Sequence, residues 1–417
     1  MIDIAIVGAG AAGVAAARSL ARDGRRVALL EASQRIGGRA RTEAVAGMAL
    51  DLGCGWLHSA ERNAWTRIAE EAGYTVDRTA AAWGRQWRDL GFSAADRAEA
   101  ERAREEFAER VAGLTRSDRA ADALEPGGRW NPWLQAISGY VNGAALEHVS
   151  AADYLAYDRA ASDCNWRVRE GYGALVAASL PATTETHLAT PVTSLALTRV
   201  GVALATPRGT VEARTAIVTV SSTVLADERL RLPPQAADHV EAAARLPLGV
   251  ADKLFLAIDD PAMFERETHL LGDPHDANTG SYTIMPMGRP VIETFFGGPG
   301  AEALEREGAA AAQAFALDEL AALLGSGVRR VLRPIAASAW RRADHVGGSY
   351  SHALPGHAAA RAVLAAPAED RLFFAGEATH PTDYSTAHGA HDSGVRAAAE
   401  AQAALGGDRR HRQQSAS

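Results

Sequence analysis

The sequence predicts an α/β fold in two domains, and three observations support it. Strand, glycine-rich turn, helix and second strand follow one another within the first 31 residues. Strand patterns return far downstream, at 191–195, 216–220 and 372–376, so the first domain is assembled from discontinuous segments. The chain has 417 residues, more than a single core usually holds. The spacers between those segments alternate strand and helix patterns of their own. They predict a second domain with a mixed β-sheet flanked by helices.

The opening unit is the most specific. Ile2-Asp3-Ile4-Ala5-Ile6-Val7 reads as a buried strand, and Gly8-Ala9-Gly10-Ala11-Ala12-Gly13 follows at once. An Ala-rich helix runs to about Asp23, and a second strand, Arg26 to Leu30, ends at Glu31. This is a complete Rossmann-like βαβ fingerprint. Gly8 permits the tight turn, Gly10 lets the backbone approach a pyrophosphate, and Gly13 lets helix and strand pack closely. Ala12 lies in the same turn and counts with them as a cofactor contact. The helix N-terminus offers unpaired N–H groups to phosphate. Glu31 is placed to accept from a ribose 2′-OH, which disfavours a 2′-phosphate. The alternative is a tight turn that binds nothing. Arg35-Ile36-Gly37-Gly38-Arg39-Ala40-Arg41-Thr42 comes next, a mobile backbone bracketed by cations and suited to a diphosphate.

Composition adds one signal. The chain has 43 basic residues, and Lys253 is the single lysine among them. Arginine cannot replace lysine where chemistry needs a compact ammonium or one able to lose its proton. Lys253 is therefore a candidate reactive group, against the alternative of a leftover surface lysine. It stands in the apolar run Leu254-Phe255-Leu256-Ala257-Ile258, which directs it to a pocket or a sheet edge.

Other classes are excluded or disfavoured. A net charge of −8 with no basic stripe argues against nucleic acid. Cys54 and Cys164 have no metal-like or disulfide-framework spacing, so no metal is expected. No apolar run is long enough to span a bilayer, and the early first strand leaves no room for a signal peptide. The expected location is the cytoplasm. The polar stretch after Gly407 reads as a disordered tail.

From Arg35 to Thr42 onward the chain resembles the flavin amine oxidases: monoamine oxidases, polyamine oxidases and lysine-specific histone demethylases. Their R-x-G-G-R-x-x-T segment follows the same acid and belongs to the FAD site, which implies a pyrophosphate contact for Arg39. Asp51-Leu52-Gly53-Cys54-Gly55-Trp56-Leu57-His58 is similar to the segment that passes the flavin ring. It makes Gly53, Trp56 and His58 site candidates, with a core Trp and a satisfied loop His as the alternative. The strands at 191–195 and 216–220 resemble the family's middle hairpin, and Val192 takes the adenosine contact. Lys253 matches the active-site lysine that holds a water against flavin N5. Trp340 and Gly347-Gly348-Ser349-Tyr350 resemble the segment beside the flavin. Monoamine oxidases carry a cysteine bonded to FAD where this chain has Ser349, so the resemblance implies non-covalent FAD. Leu372 to Gly394, with Gly376, Glu377 and Tyr384-Ser385-Thr386, is very similar to the polyamine-oxidase pattern. There Glu377 can bind ribityl hydroxyls.

Three positions, in two departures, differ from the family. Thr386 stands where monoamine oxidases have a second tyrosine, so only Tyr350 of the aromatic pair is present. His391 and Asp392 replace residues that are usually apolar.

The resemblance implies an FAD-binding domain from 1–75, 166–248 and 346–407. A substrate-binding domain takes 76–165 and 249–345, and the tail is 408–417. In the second domain a charged helix runs from Ser93 to about Leu114, and another from about Ala301 to Leu324. Aromatics such as Trp83, Trp133, Tyr140 and Tyr157 are read first as core packing. The implied activity is oxidation of a small-molecule amine, tilted toward a polyamine, with O2 as acceptor. Lys253, Tyr350, Trp340 and His58 are the catalytic candidates. The protein is expected to work as a monomer or homodimer, without membrane or nucleic acid. Rival readings are an L-amino-acid oxidase or desaturase on the same scaffold, and a redox-silent FAD-binding subunit.

Overall fold

The fold comes from a computed structural model that describes the backbone of residues 1–414 and side chains through Gly406. The strand Ile2–Val7 lies inside a seven-stranded sheet. It runs parallel to Val27–Leu30 on one side and to Gly209–Val218 on the other. Glu185–His187 extends the sheet beyond Val27–Leu30, and Leu372–Phe374 pairs with Gly209–Val218, both in parallel. Ile4 and Ile6 are fully buried because both faces of the sheet are covered, which is why this strand is a continuous apolar run.

The helix Ala11–Leu20 follows the glycine turn and packs against the last helix, Ala387–Gln414. The contact is built from small residues, including Ala12, Ala16, Ala390, Ala397 and Ala401. At Gly394 a Cβ would lie 2.2 Å from the Ala12 carbonyl oxygen, so the two backbones touch.

The predicted hairpin of 191–195 with 216–220 is a three-stranded meander instead. Ser194–Leu197 pairs with Val202–Thr206, which pairs with Gly209–Val218. Tight turns at Thr198–Gly201 and Thr206–Gly209 insert the middle strand between the two expected to meet.

The second sheet has five strands in the order Thr268–Leu271, Ser281–Ile284, Val291–Gly297, Ala251–Ile258, Leu332–Ala337. Its strand pairs are antiparallel, where the sequence reading expected a mixed sheet. Short connections within 268–297 cannot supply the long crossovers that parallel pairs need. One parallel bridge, Gln86 to His269, sits at the edge.

Ser93 caps the charged helix Ala94–Ala112 by accepting from Asp96 N at 3.1 Å. The helix expected at 301–324 is two, Gly298–Glu307 and Ala309–Leu324, broken at Gly308, whose φ is +102°. No helix among the described residues is long and apolar enough to cross a membrane. The last helix, Ala387–Gln414, runs into the stretch expected as a disordered tail at 408–417. Residues 415–417 lie outside the described residues.

Candidate active site

A cavity of about 940 Å³ is walled by segments of both sheets. One part is lined by Gly8, Gly10, Ala12, Glu31, Arg39 and Val192. Gly53, Trp340, Lys253, Tyr350, Trp56 and His58 line another part, and Gly376, Glu377 and Thr386 also face it. Gly13 does not. A Cβ there would lie 2.0 Å from the Gly8 carbonyl oxygen, so Gly13 serves helix–strand packing.

The backbone fixes the first part of the cavity. Glu31 accepts from Ala9 N at 2.7 Å and from Ser33 N at 2.8 Å, one bond per carboxylate oxygen. Each oxygen keeps a lone pair for another donor. Gly10 caps the helix, and a Cβ on it would meet nothing within 4 Å.

Arg39 is held on one side. Its Nη1 donates to Glu377 Oε1 at 2.7 Å and to the Ser349 carbonyl at 2.9 Å. Glu377 also accepts from Ser351 Oγ at 2.6 Å and Ser385 N at 2.9 Å. Burial raises its pKa, but Arg39 and these hydrogen bonds outweigh burial and leave it below the usual carboxylate value. Beyond Ser351 the network reaches Arg361, which makes a buried bidentate pair with Asp153 at 2.6 and 2.8 Å.

Local pairing brings the catalytic candidates together. Ser349 N donates to the Gly249 carbonyl at 2.8 Å, and Gly249 N to the Tyr350 carbonyl at 2.9 Å. That pairing sets Tyr350 beside the start of the strand Ala251–Ile258. Lys253 N donates to Ser338 Oγ at 2.9 Å, and Ser338 N to the Lys253 carbonyl at 2.9 Å. Trp340 follows, fixed by Asp252 Oδ1 at 3.1 Å and by the Leu52 carbonyl at 3.1 Å. Lys253 is 7% exposed, and its Nζ donates to the Asp51 carbonyl at 3.0 Å and pairs with Glu293 Oε1 at 2.7 Å. Gly55 leaves room for that ammonium, since a Cβ there would lie 2.9 Å from Nζ.

His58 Nδ1 lies 2.7 Å from Asn165 Oδ1. With the amide oxygen accepting, Nδ1 carries the proton and Nε2 is bare. Burial, despite Asn165, pulls the His58 pKa down to about 4, so the ring is neutral near pH 7. Trp56 packs against Trp83 with tilted rings, 4.5 Å between centroids, and lies under the Arg167 guanidinium. Tyr350 donates its hydroxyl to the Tyr140 carbonyl. Thr386 Oγ1 accepts from Gly389 N at 3.0 Å and donates to the Asp383 carbonyl at 2.6 Å, so its side chain caps the last helix. Of the two departures nearby, His391 bonds Asp392 at 2.8 Å and sits edge-on to Trp65.

Sequence reasoning missed Glu293 and His269 on the cavity wall, and Trp83, Trp133, Tyr140 and Tyr157, read first as core packing, line it as well. Glu293 carried a signal, as the one charge in the apolar strand Val291–Gly297. His269 and Tyr157 carried none that separates them from core residues.

The family model for flavin-containing amine oxidoreductases matches residues 11–402. The chain belongs to this family. Polyamine oxidase 4 from Oryza sativa subsp. japonica is 27% identical over 437 residues, covering 95% of this chain and 88% of that protein. A pseudooxynicotine dehydrogenase from a Pseudomonas species is 41% identical over only 66 residues, 16% of this chain and 13% of its own. Among solved structures, putrescine oxidase bound to putrescine has a TM-score of 0.78 at 19% identity, covering 96% of this chain and 99% of that one. Cyclohexylamine oxidase from Brevibacterium oxydans IH-35A also scores 0.78, at 20% identity and the same coverage.

The cofactor of this amine oxidoreductase is FAD, and the residues present fit it. The open space over Gly10, the free lone pairs of Glu31 and the arginine-flanked glycine turn suit a dinucleotide. Ser349 Oγ accepts from Ala251 N at 2.7 Å and donates to the Ala251 carbonyl at 2.8 Å, so it ties the loop before Tyr350 to the strand Ala251–Ile258.

Proposed function

We propose that this chain is an FAD-dependent amine oxidase that turns a small amine into an aldehyde and a smaller amine. The carrying observation is Lys253, the single lysine, buried in the cavity wall, with Trp340 hydrogen-bonded to Asp252 on its strand and Tyr350 paired with Gly249 just before that strand. When bound, FAD would supply the redox chemistry, accepting two electrons from the amine to leave an imine that water hydrolyses, with O2 as the final acceptor giving H2O2.

The chain's own residues bind and position. Gly8, Gly10, Ala12 and the helix N-terminus face the pyrophosphate, with Glu31 on the ribose and Val192 at the adenosine end. Arg39, Gly53, Trp56, Gly376, Glu377 and Thr386 complete the cofactor wall. Arg39 is held by Glu377 before it meets any phosphate. Lys253 holds a water by its ammonium, and Glu293 aims that ammonium. Tyr350 and Trp340 shape the space for the amine, and neutral His58 offers a bare Nε2 to a donor. The engaged Ser349 hydroxyl supports non-covalent attachment.

The sequence motifs tilt the substrate toward a polyamine. The L-amino-acid oxidase reading needs a free cation for a carboxylate. Arg97 lines the cavity, but its guanidinium is engaged by the Phe92 carbonyl at 2.6 Å and Asp89 at 2.7 Å. The test is anaerobic mixing of the yellow protein with polyamines, monoamines, nicotine-like amines and L-amino acids. Bleaching by amines is expected. Bleaching by amino acids alone overturns the reading, and no bleaching at all favours a redox-silent subunit.

A further inference from the structure

The five-stranded sheet acts as a ruler across the cavity. Residues in register on neighbouring strands point to one face, and strands lie about 4.8 Å apart. Lys253 is in register with Phe295, Phe295 with Ser281, and Ser281 with Leu271. Alongside runs a second row, Glu293, Thr283 and His269. Both rows line the cavity. Ser281 is two strands from Lys253 and His269 is three, which is about 10 and about 14 Å.

The polarity of this face is uneven. Its charges, Lys253 and Glu293, are paired with each other at the reacting end. Phe295 and Leu271 make the far side apolar, as do Trp133, Ile137 and Tyr140, spaced i, i+4, i+7 on the helix Asn131–Asn142. Into that end the fold sets a polar pair, His269 Nε2 and Ser281 Oγ, 2.8 Å apart, while the amide of neighbouring Gln86 is spent on the backbone of Leu90 and Leu271. His269 is 7% exposed, and its Nδ1 has no partner among the described residues. Burial alone pulls its pKa down to about 4, so it carries no charge near pH 7. Arg97, bonded to the Phe92 carbonyl, stands at the same end, because Phe92 packs with Leu271. Asp89 neutralises that guanidinium at 2.7 Å, so the uncharged, mostly apolar lining is what disfavours a second ammonium there.

We propose that His269 and Ser281 form a distal subsite for a neutral hydrogen-bonding group of the substrate, a hydroxyl, carbonyl or ring nitrogen joined to the amine by an apolar spacer. The inference rests on the amine-oxidase reading, not on the polyamine tilt of the sequence motifs, which it replaces with a monoamine that carries a neutral polar group at its far end. A buried polar pair left unmet discriminates against a ligand lacking the matching group.

The test uses the purified holoenzyme and primary alkylamines of graded length ending in methyl, hydroxyl or ammonium. At the best length, kcat/KM for the hydroxyl-ended amine should exceed that for the methyl-ended one about fivefold to tenfold, the size of one buried hydrogen bond. The diamine should be the poorest of the three. His269→Phe should bring the hydroxyl-to-methyl ratio to about one, and Ser281→Ala should lower it too, which keeps the test open if the first variant fails to fold. Preference for the diamine, or a ratio that survives both substitutions, overturns the subsite. Failure of every amine to bleach the flavin overturns the amine-oxidase reading instead.

Discussion

Lys253 Nζ lies 2.7 Å from Glu293 Oε1, across neighbouring antiparallel strands and one diagonal step out of register. The two belong together energetically. Each would be a costly buried charge alone, and the Asp51 carbonyl gives the ammonium its second partner. Lys253→Met should retain bound FAD, read from the visible spectrum, and slow turnover or reoxidation by roughly a hundredfold or more. It also strands Glu293. The double variant Lys253→Met/Glu293→Gln should therefore unfold at a higher temperature than the single one. Unchanged steady-state and reoxidation rates would remove Lys253 from the chemistry.

The Arg361–Asp153 pair predicts a stability effect far from the redox centre. Both side chains are almost fully buried, and Arg361 also donates to Ser351 and covers the Tyr384 ring. Arg361→Met leaves the Asp153 carboxylate without its counterion and should cost about 3–5 kcal/mol in denaturant unfolding. Adding Asp153→Asn should return part of that loss. Full additivity of the two changes would argue against direct coupling.

The fold was legible where local physics writes it. The glycine turn at Gly8–Gly13 and the strand Ile2–Val7 show in sequence because a tight turn and a doubly buried parallel strand each demand their residue types. Lys253 stood out because arginine had displaced every other lysine. Glu293 and His269 gain meaning only from register. Glu293 is 40 residues from Lys253 in the chain, and no local pattern says which strands will be neighbours. For the same reason the second sheet was read as mixed when its pairs are antiparallel.

Stability should fall with acid in a defined window. Burial pulls His58, His269 and His352 each down to about 4, from a usual value of 6.5. These are bases whose folded pKa is depressed. Above 6.5 both folded and unfolded forms are neutral and nothing is lost. As pH falls from 6.5 through about 4, the unfolded chain takes protons the folded one refuses, so stability drops. Below about 4 the loss is complete. His352 lies outside the cavity lining, and its buried Nδ1 has no hydrogen-bond partner among the described residues. His352→Phe should flatten the slope of unfolding free energy against pH by up to one proton in that window, and an unchanged slope would place the titration elsewhere.

Two glycines in one loop should respond differently to the same change. A Cβ on Gly53 would lie 1.7 Å from the Arg39 carbonyl oxygen, a backbone atom that cannot move without dragging the cofactor wall. Gly53→Ala should therefore lose FAD binding, seen as colourless protein. On Gly55 the nearest obstacle is Lys253 Nζ at 2.9 Å, the far end of a flexible side chain. The ammonium can swing aside, but only by loosening its bonds to Glu293 and Asp51. Gly55→Ala should keep the yellow colour and lower turnover several-fold, because displacement of about 1 Å at a reacting centre is enough for that. Loss of FAD from both variants would mean the loop tolerates no added methyl, and that the lysine's position is not what Gly55 protects.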